Sequence, residues 1–174
     1  MESLAEYLQQ ERLEGPNQYE AEGHGKQDAV KYLKIKELPP VLQINLNRFG
    51  FTSDGMPLKI QSKCEFGPTL DLRQHAGPDD IYHLHGILVH AGTLNSGHYF
   101  CYLRPTQQDE WFKFNDEHVT RIPSDLVFKQ GQGGMTSHFG MFDGVITEVR
   151  QPINTQAYQL IYFRESERED ILGP

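Results

Sequence analysis

The chain has 174 residues, of which 37% are hydrophobic and 11% aromatic, with 16 Gly and 10 Pro. That is enough for one domain with one moderate core, and it argues against a disordered chain. The formal net charge of −8 and the lack of a basic cluster argue against nucleic acid or an anionic membrane as partner. No apolar run is long enough to span a bilayer, and the first residues lack a signal-peptide pattern. A soluble protein of the cytoplasm or nucleus is expected. Residues 2–13, with Leu4, Tyr7 and Leu8 on one side, predict a short helix. The polar, Gly-interrupted stretch 14–29 predicts a loop or an edge hairpin, and 29–38 a strand with imperfect alternation. Over 39–51, Leu42, Ile44 and Leu46 alternate with Gln43, Asn45 and Asn47, which predicts a strand buried on one face. Asp54-Gly55 then signals a hairpin turn, with 58–66 as the return strand.

Residues 71–80 read as a loop, and 81–92, 98–103, 110–116 and 118–122 as a run of strands. The Gly-rich segment 131–144 reads as a surface loop, 157–165 as a last apolar strand, and the charged end as a frayed or helical tail. Strands dominate and follow one another as hairpins, so the fold class is α+β with a mostly antiparallel sheet.

One hairpin brings chemistry-bearing residues together. A turn over 105–108, centred between 106 and 107, puts His98 opposite Asn115 and Tyr102 opposite Trp111. Facing side chains stand about 5 Å apart on one face. Asp116 projects to the other side unless a bulge turns it round. An oxygen that accepts from one ring nitrogen fixes the tautomer and leaves the other nitrogen as a base. An amide does this without charge, whereas a carboxylate also stabilises the imidazolium. A structural cross-strand pair is the bland alternative. The rigid strands beside the Gly-containing loop "HAGTLNSG" favour a catalytic one.

The segments "GHYFCYLRP…EWFKFNDEHVTRI", "LPPVLQINLNRF" (38–49), "CEFGPTLDL" (64–72) and "AYQLIYFRE" (157–165) resemble, in order, the histidine box and three core strands of the ubiquitin-specific proteases. The flavour of "NQYEAEGHGKQDA" and of the ending "YFRES" is nearest to the herpesvirus-associated branch of that family. The resemblance implies a deubiquitinating thiol peptidase that cleaves after the terminal Gly of ubiquitin; the alternative is a catalytically inactive, ubiquitin-binding relative. Its partners would be ubiquitin and ubiquitinated proteins. His98 is then the general base and Asn115 its orienting partner, where the family usually has Asp. Asp116 is a second, assisting acid. His90, Gly97 and Tyr99 would flank the channel for the ubiquitin tail, and the loops 91–97 and 73–80 would be its two blocking loops.

The resemblance also implies a partial domain: the palm and the end of the fingers of a papain-like fold, lacking the thumb. Residues 1–37 would be the end of the fingers and a linker, 38–165 the palm and 166–174 a tail. No segment matches the family's cysteine box, so the nucleophile is not expected in this chain. Cys101 lies three residues beyond His98 and points to the opposite face, and Cys64 occupies a packing position. Relatives hold zinc with two Cys-x-x-Cys pairs, but here His24 stands alone. His83 and His85 lack a third ligand, so no metal or cofactor is expected. Trp111, Phe49 and Phe114 read as core. Arg48 reads as the partner of a carboxylate, in either a structural or a functional role.

Overall fold

The strand order and pairing of the chain rest on a few long apolar strands, while shorter strands close its edges. The computed structural model describes residues 2–142 and 145–173. It opens with α1 (Glu2–Tyr7), β1 (Glu11–Leu13), the hairpin β2 (Tyr19–Ala21) and β3 (Gly25–Gln27), and β4 (Ala29–Lys31). The expected 2–13 helix thus stops at Tyr7. Few of its residues are covered, and a helix this short gains little from propensity alone. Residues 11–13 instead pair antiparallel with β4, where Lys31 meets Glu11 at 3.5 Å. The strand expected over 29–38 ends at Lys31, and Tyr32 is exposed.

The strand expected over 39–51 is broken. β5 (Val41–Asn45) lays Leu42 and Ile44 against the core, and the chain then turns at Arg48. Arg48 is 3% exposed and pairs with no carboxylate among the described residues. Its Nε donates to the carbonyl of Ala157 at 3.2 Å and its Nη1 to that of Ser62 at 2.7 Å. A buried guanidinium needs such acceptors, and the regular pairing ends at Asn45 with one last backbone bond, from the Leu46 N–H to the carbonyl of Tyr158 at 2.9 Å. β6 (Phe49–Phe51) and β7 (Pro57–Lys59) form a separate hairpin around the left-handed Gly55. The return strand is therefore three residues, and Phe49, expected in the core, is half-exposed with its ring edge-on to Tyr158.

The remaining elements are β8 (Thr69–Asp71), β9 (Ile81–Gly92), β10 (Gly97–Leu103), β11 (Trp111–Asn115), β12 (His118–Ile122), α2 (Ser124–Gln132), β13 (Met135–Phe142), β14 (Val145–Pro152), β15 (Thr155–Arg164) and α3 (Arg168–Leu172). The main sheet is antiparallel in the order β12-β11-β10-β9-β15-β5. β15 occupies one edge of β9 from Tyr82 to Ala91, so β8 and β10 share the other edge, at its two ends.

Two bulges in the β9–β15 ladder set the core face. Tyr158 is the extra residue of β15 and His85 that of β9. Each bulge reverses the inward–outward alternation. Tyr82 and Leu84 therefore share a face with Ile87 and Val89, and all four are fully buried. On β15 the same device aligns Ala157, Leu160 and Tyr162 with them.

The helix α2, which has no clear periodic signal, covers this face with Val127 and Phe128. Phe128 meets Phe66 and Trp111 at centroid distances of 5.9 and 6.3 Å. Gly131 lies where a Cβ would come within 3.0 Å of Phe66. The surface loop expected over 131–144 is instead the end of α2 and the strand β13, paired with β14 from Met135↔Pro152 onward. Residues 143 and 144 lie outside the described residues.

Candidate active site

β10 and β11 position the two residues of the His98 pair. Their register is Cys101↔Phe114, Tyr102↔Lys113 and Leu103↔Phe112, two residues removed from the expected one. The connection is longer than a four-residue turn because Arg104 Nη1 reaches Asp109 Oδ1 at 3.0 Å. Arg168 also holds the carbonyl of Gln107 at 3.0 Å. A shift of two preserves the face. Lys113 and Trp111 remain on the side of Tyr102, and Asn115 remains on the side of His98. Trp111 is 3% exposed, but it packs against Phe128 and Arg104 rather than across from Tyr102.

The structure brings His98 Nε2 to 2.6 Å from Asn115 Oδ1. An amide oxygen only accepts, so Nε2 carries the proton and Nδ1 keeps its lone pair. Asp116 also approaches, with Oδ2 3.7 Å from the same nitrogen. No bulge brings it round. Asp116 begins the two-residue turn between β11 and β12 with φ 52°, a left-handed conformation that Asp tolerates. The His98 side chain is 48% exposed, so a reactant can reach Nδ1.

The residues expected along a tail channel form a second group. His90 lies directly opposite Tyr99 on neighbouring strands, so the two share a face. His98 lies opposite Ala91, one residue on, and therefore belongs to the other face. Tyr99 is half-exposed, while His90 is 7% exposed. The rings of His90, Tyr99 and Tyr158 lie within 4.7–5.8 Å of one another. Gly97 closes against this group, since a Cβ there would sit 2.2 Å from His90 Nε2. Lys59 joins it from β7, with Nζ 3.0 Å from His90 Nδ1 and donating to the carbonyl of Gly92 at 2.7 Å. Burial, and then the Lys59 charge, push the His90 pKa below its ordinary value. Burial, and then Arg48, lower that of Lys59.

Lys59 and Tyr158 escaped the sequence reading. Tyr158 sits in a quoted strand, but only the bulge delivers its ring to this side. Lys59 is one lysine among several on a short strand.

Neither cysteine lies on the His98 face of the hairpin. Cys101 pairs with Leu88 and Phe114 on the side of Tyr99, and burial raises its thiol pKa. Cys64 follows an irregular stretch, and its N–H donates to the carbonyl of Gln132 at 3.0 Å. Among the described residues no group of three or more His, Cys, Asp and Glu is placed to hold a metal ion. His24 turns its Nδ1 toward the carbonyl of Glu22 at 3.1 Å. His83 meets Glu165 at 3.2 Å, and His85 stacks on Phe163.

The family model for ubiquitin carboxyl-terminal hydrolase matches residues 5–162. The chain belongs to the ubiquitin-specific protease family. Ubiquitin C-terminal hydrolase 12 of Arabidopsis thaliana is 39% identical over 186 residues, covering 98% of this chain and 16% of the relative. Ubiquitin carboxyl-terminal hydrolase 7 of Drosophila melanogaster is 32% identical over 177 residues, covering 99% of this chain and 15% of the relative. The chain thus spans about a sixth of the curated relatives it matches.

A solved structure of the SAGA DUB module bound to monoubiquitin superposes with a TM-score of 0.67 at 30% identity, covering 93% of this chain and 31% of that one. The fold is accordingly the palm-and-fingers portion of a ubiquitin-specific protease catalytic domain.

Proposed function

We propose that these residues form the histidine half of a deubiquitinating thiol peptidase, with His98 as general base and Asn115 as its orienting partner. The observation that carries this reading is the 2.6 Å contact between His98 Nε2 and Asn115 Oδ1 at the exposed start of β10, in a chain of this family. In this reading Nδ1 takes the proton of a cysteine thiol. The thiolate attacks the isopeptide carbonyl after the last Gly of ubiquitin, and Nδ1–H then protonates the departing lysine amine. Asn115 holds the ring through both steps, and the carboxylate of Asp116 stabilises the imidazolium between them.

In this reading the sulfur is supplied from outside these 174 residues, which is supported by Cys101 facing away from His98 and by the Cys64 N–H being bonded to the carbonyl of Gln132 at the end of α2. His90, Gly97 and Tyr99 contact the tail of ubiquitin. Ubiquitin and ubiquitinated proteins are the partners, a reading supported by the monoubiquitin-bound module among the similar structures.

The test is His98→Ala in the full-length protein. Hydrolysis of a ubiquitin–amide reporter is expected to fall by roughly 10³-fold or more, with ubiquitin affinity retained. Turnover that survives the substitution refutes the assignment. Calorimetric titration of the 174-residue chain with ubiquitin is expected to show binding without cleavage.

A further inference from the structure

We propose that Lys59 is a positioning residue for His98, acting through Gly92 and His90; the role rests on the peptidase reading above. An ammonium loses hydration when it is partly buried, and that loss must be offset by fixed acceptors. No carboxylate pairs with Lys59 among the described residues. Its acceptors are the carbonyl of Gly92, at 2.7 Å, and Nδ1 of His90, at 3.0 Å, with the Tyr158 ring centroid 5.7 Å away. The buried guanidinium of Arg48 is a like charge that acts against the ammonium. The side chain thus spans from the β6–β7 hairpin to the mouth of the β9–β10 hairpin, and it makes no other hydrogen bond among the described residues.

Both acceptors bear directly on the start of β10. Gly92 pairs with Gly97 and has φ 126°, and a Cβ there would come 2.4 Å from the carbonyl oxygen of Ser96. Fixing the Gly92 carbonyl therefore fixes the crossing point of the loop. His90 is the second route. An ammonium on Nδ1 forces the neutral ring to carry its proton on Nε2, the edge that abuts Gly97. Gly97 precedes His98 directly. Lys59, His90 and Gly97 thus form one continuous line of contact behind the base, and the Nε2–Asn115 bond depends on where that line places the backbone.

The tautomers can be read in the 174-residue chain by long-range proton–nitrogen NMR of the imidazole rings. At neutral pH the wild-type chain is expected to show His90 neutral with the proton on Nε2, and His98 with its proton on Nε2. Lys59→Met is expected to shift the ring signals of both histidines, and Lys59→Arg, which keeps a donor, to restore those of His98. In the full-length protein Lys59→Met is expected to lower kcat roughly ten- to a hundredfold with KM within about twofold.

A wild-type His90 protonated on Nδ1 overturns the proposal. So does a Lys59→Met chain whose His98 signals stay in place while those of His90 move, or an effect confined to KM. If Lys59→Met does not fold, the wild-type tautomer and Lys59→Arg decide alone. The ring measurements need no turnover, so failure of the peptidase reading in the His98→Ala assay is separable from failure of this one.

Discussion

His85 lies flat on Phe163, with ring centroids 4.0 Å apart and 14° between the planes. Burial, and then the charges of Arg104 and Arg168, push its pKa down from 6.5 to about 4. The unfolded chain therefore binds a proton at this site that the folded chain refuses. The linked stability is whole above pH 6.5, is lost as the pH falls toward 4, and is constant below that. Undiminished, the shift is worth on the order of 3 kcal/mol; partial exposure cuts it to about 1–2 kcal/mol. Urea midpoints between pH 7 and 4 are expected to fall in the native chain and to fall less steeply in His85→Gln, the remaining slope including that of His90. The Asp71 carboxyl, held down to about 2 by its bonds to Arg73, titrates below that window.

Asn115→Asp tests the uncharged orienting partner. A carboxylate beside His98 favours the imidazolium and raises the ring pKa. In the full-length protein the acid limb of kcat against pH is expected to move to higher pH. Asn115→Ala is expected to lower kcat by about 10²-fold without that movement. An acid limb that stays in place in Asn115→Asp argues that Asn115 does not touch the working base.

Gly97→Ala places a methyl group 2.2 Å from His90 Nε2 and 2.5 Å from the Ala91 carbonyl oxygen. The second neighbour is backbone and cannot rotate away. A destabilisation of roughly 1–3 kcal/mol is expected, which for a chain of this size lowers the melting midpoint by about 2–4 °C per kcal/mol. Calorimetry of the purified variant reads it directly.

The β13–β14 hairpin carries an exposed apolar group. Phe139 and Met141 stand on one face with Ile146, the partner of Met141, and these three are 77%, 72% and 69% exposed. Among the described residues each of its two strands pairs only with the other, which leaves both outer edges open there. Light scattering of the 174-residue chain is expected to show concentration-dependent association. Phe139→Ser together with Ile146→Thr is expected to reduce it.

The sequence made the long strands readable, because Ile81–Gly92 and Thr155–Arg164 are too apolar for any other place. It also placed the His98 pair on the right face, since an error of two residues in register leaves side-chain direction unchanged. Three features escaped it, each decided by contacts distant in the chain. Arg48 lies beyond the end of its strand and reaches Ala157, α2 forms because Val127 and Phe128 find the sheet, and Tyr158 joins His90 through a bulge. Segment 131–144 misled through its glycines. Gly133 and Gly134, at φ 72° and 90°, end a helix and start a strand rather than loosen a loop.

Because His98 and Tyr99 are consecutive yet face opposite ways, one strand serves two compartments, a proton-handling side and an aromatic side. Inserting or deleting a single residue early in β10 would trade their contents, putting a phenol where the imidazole works. Only length changes in steps of two within β10 itself would spare both compartments.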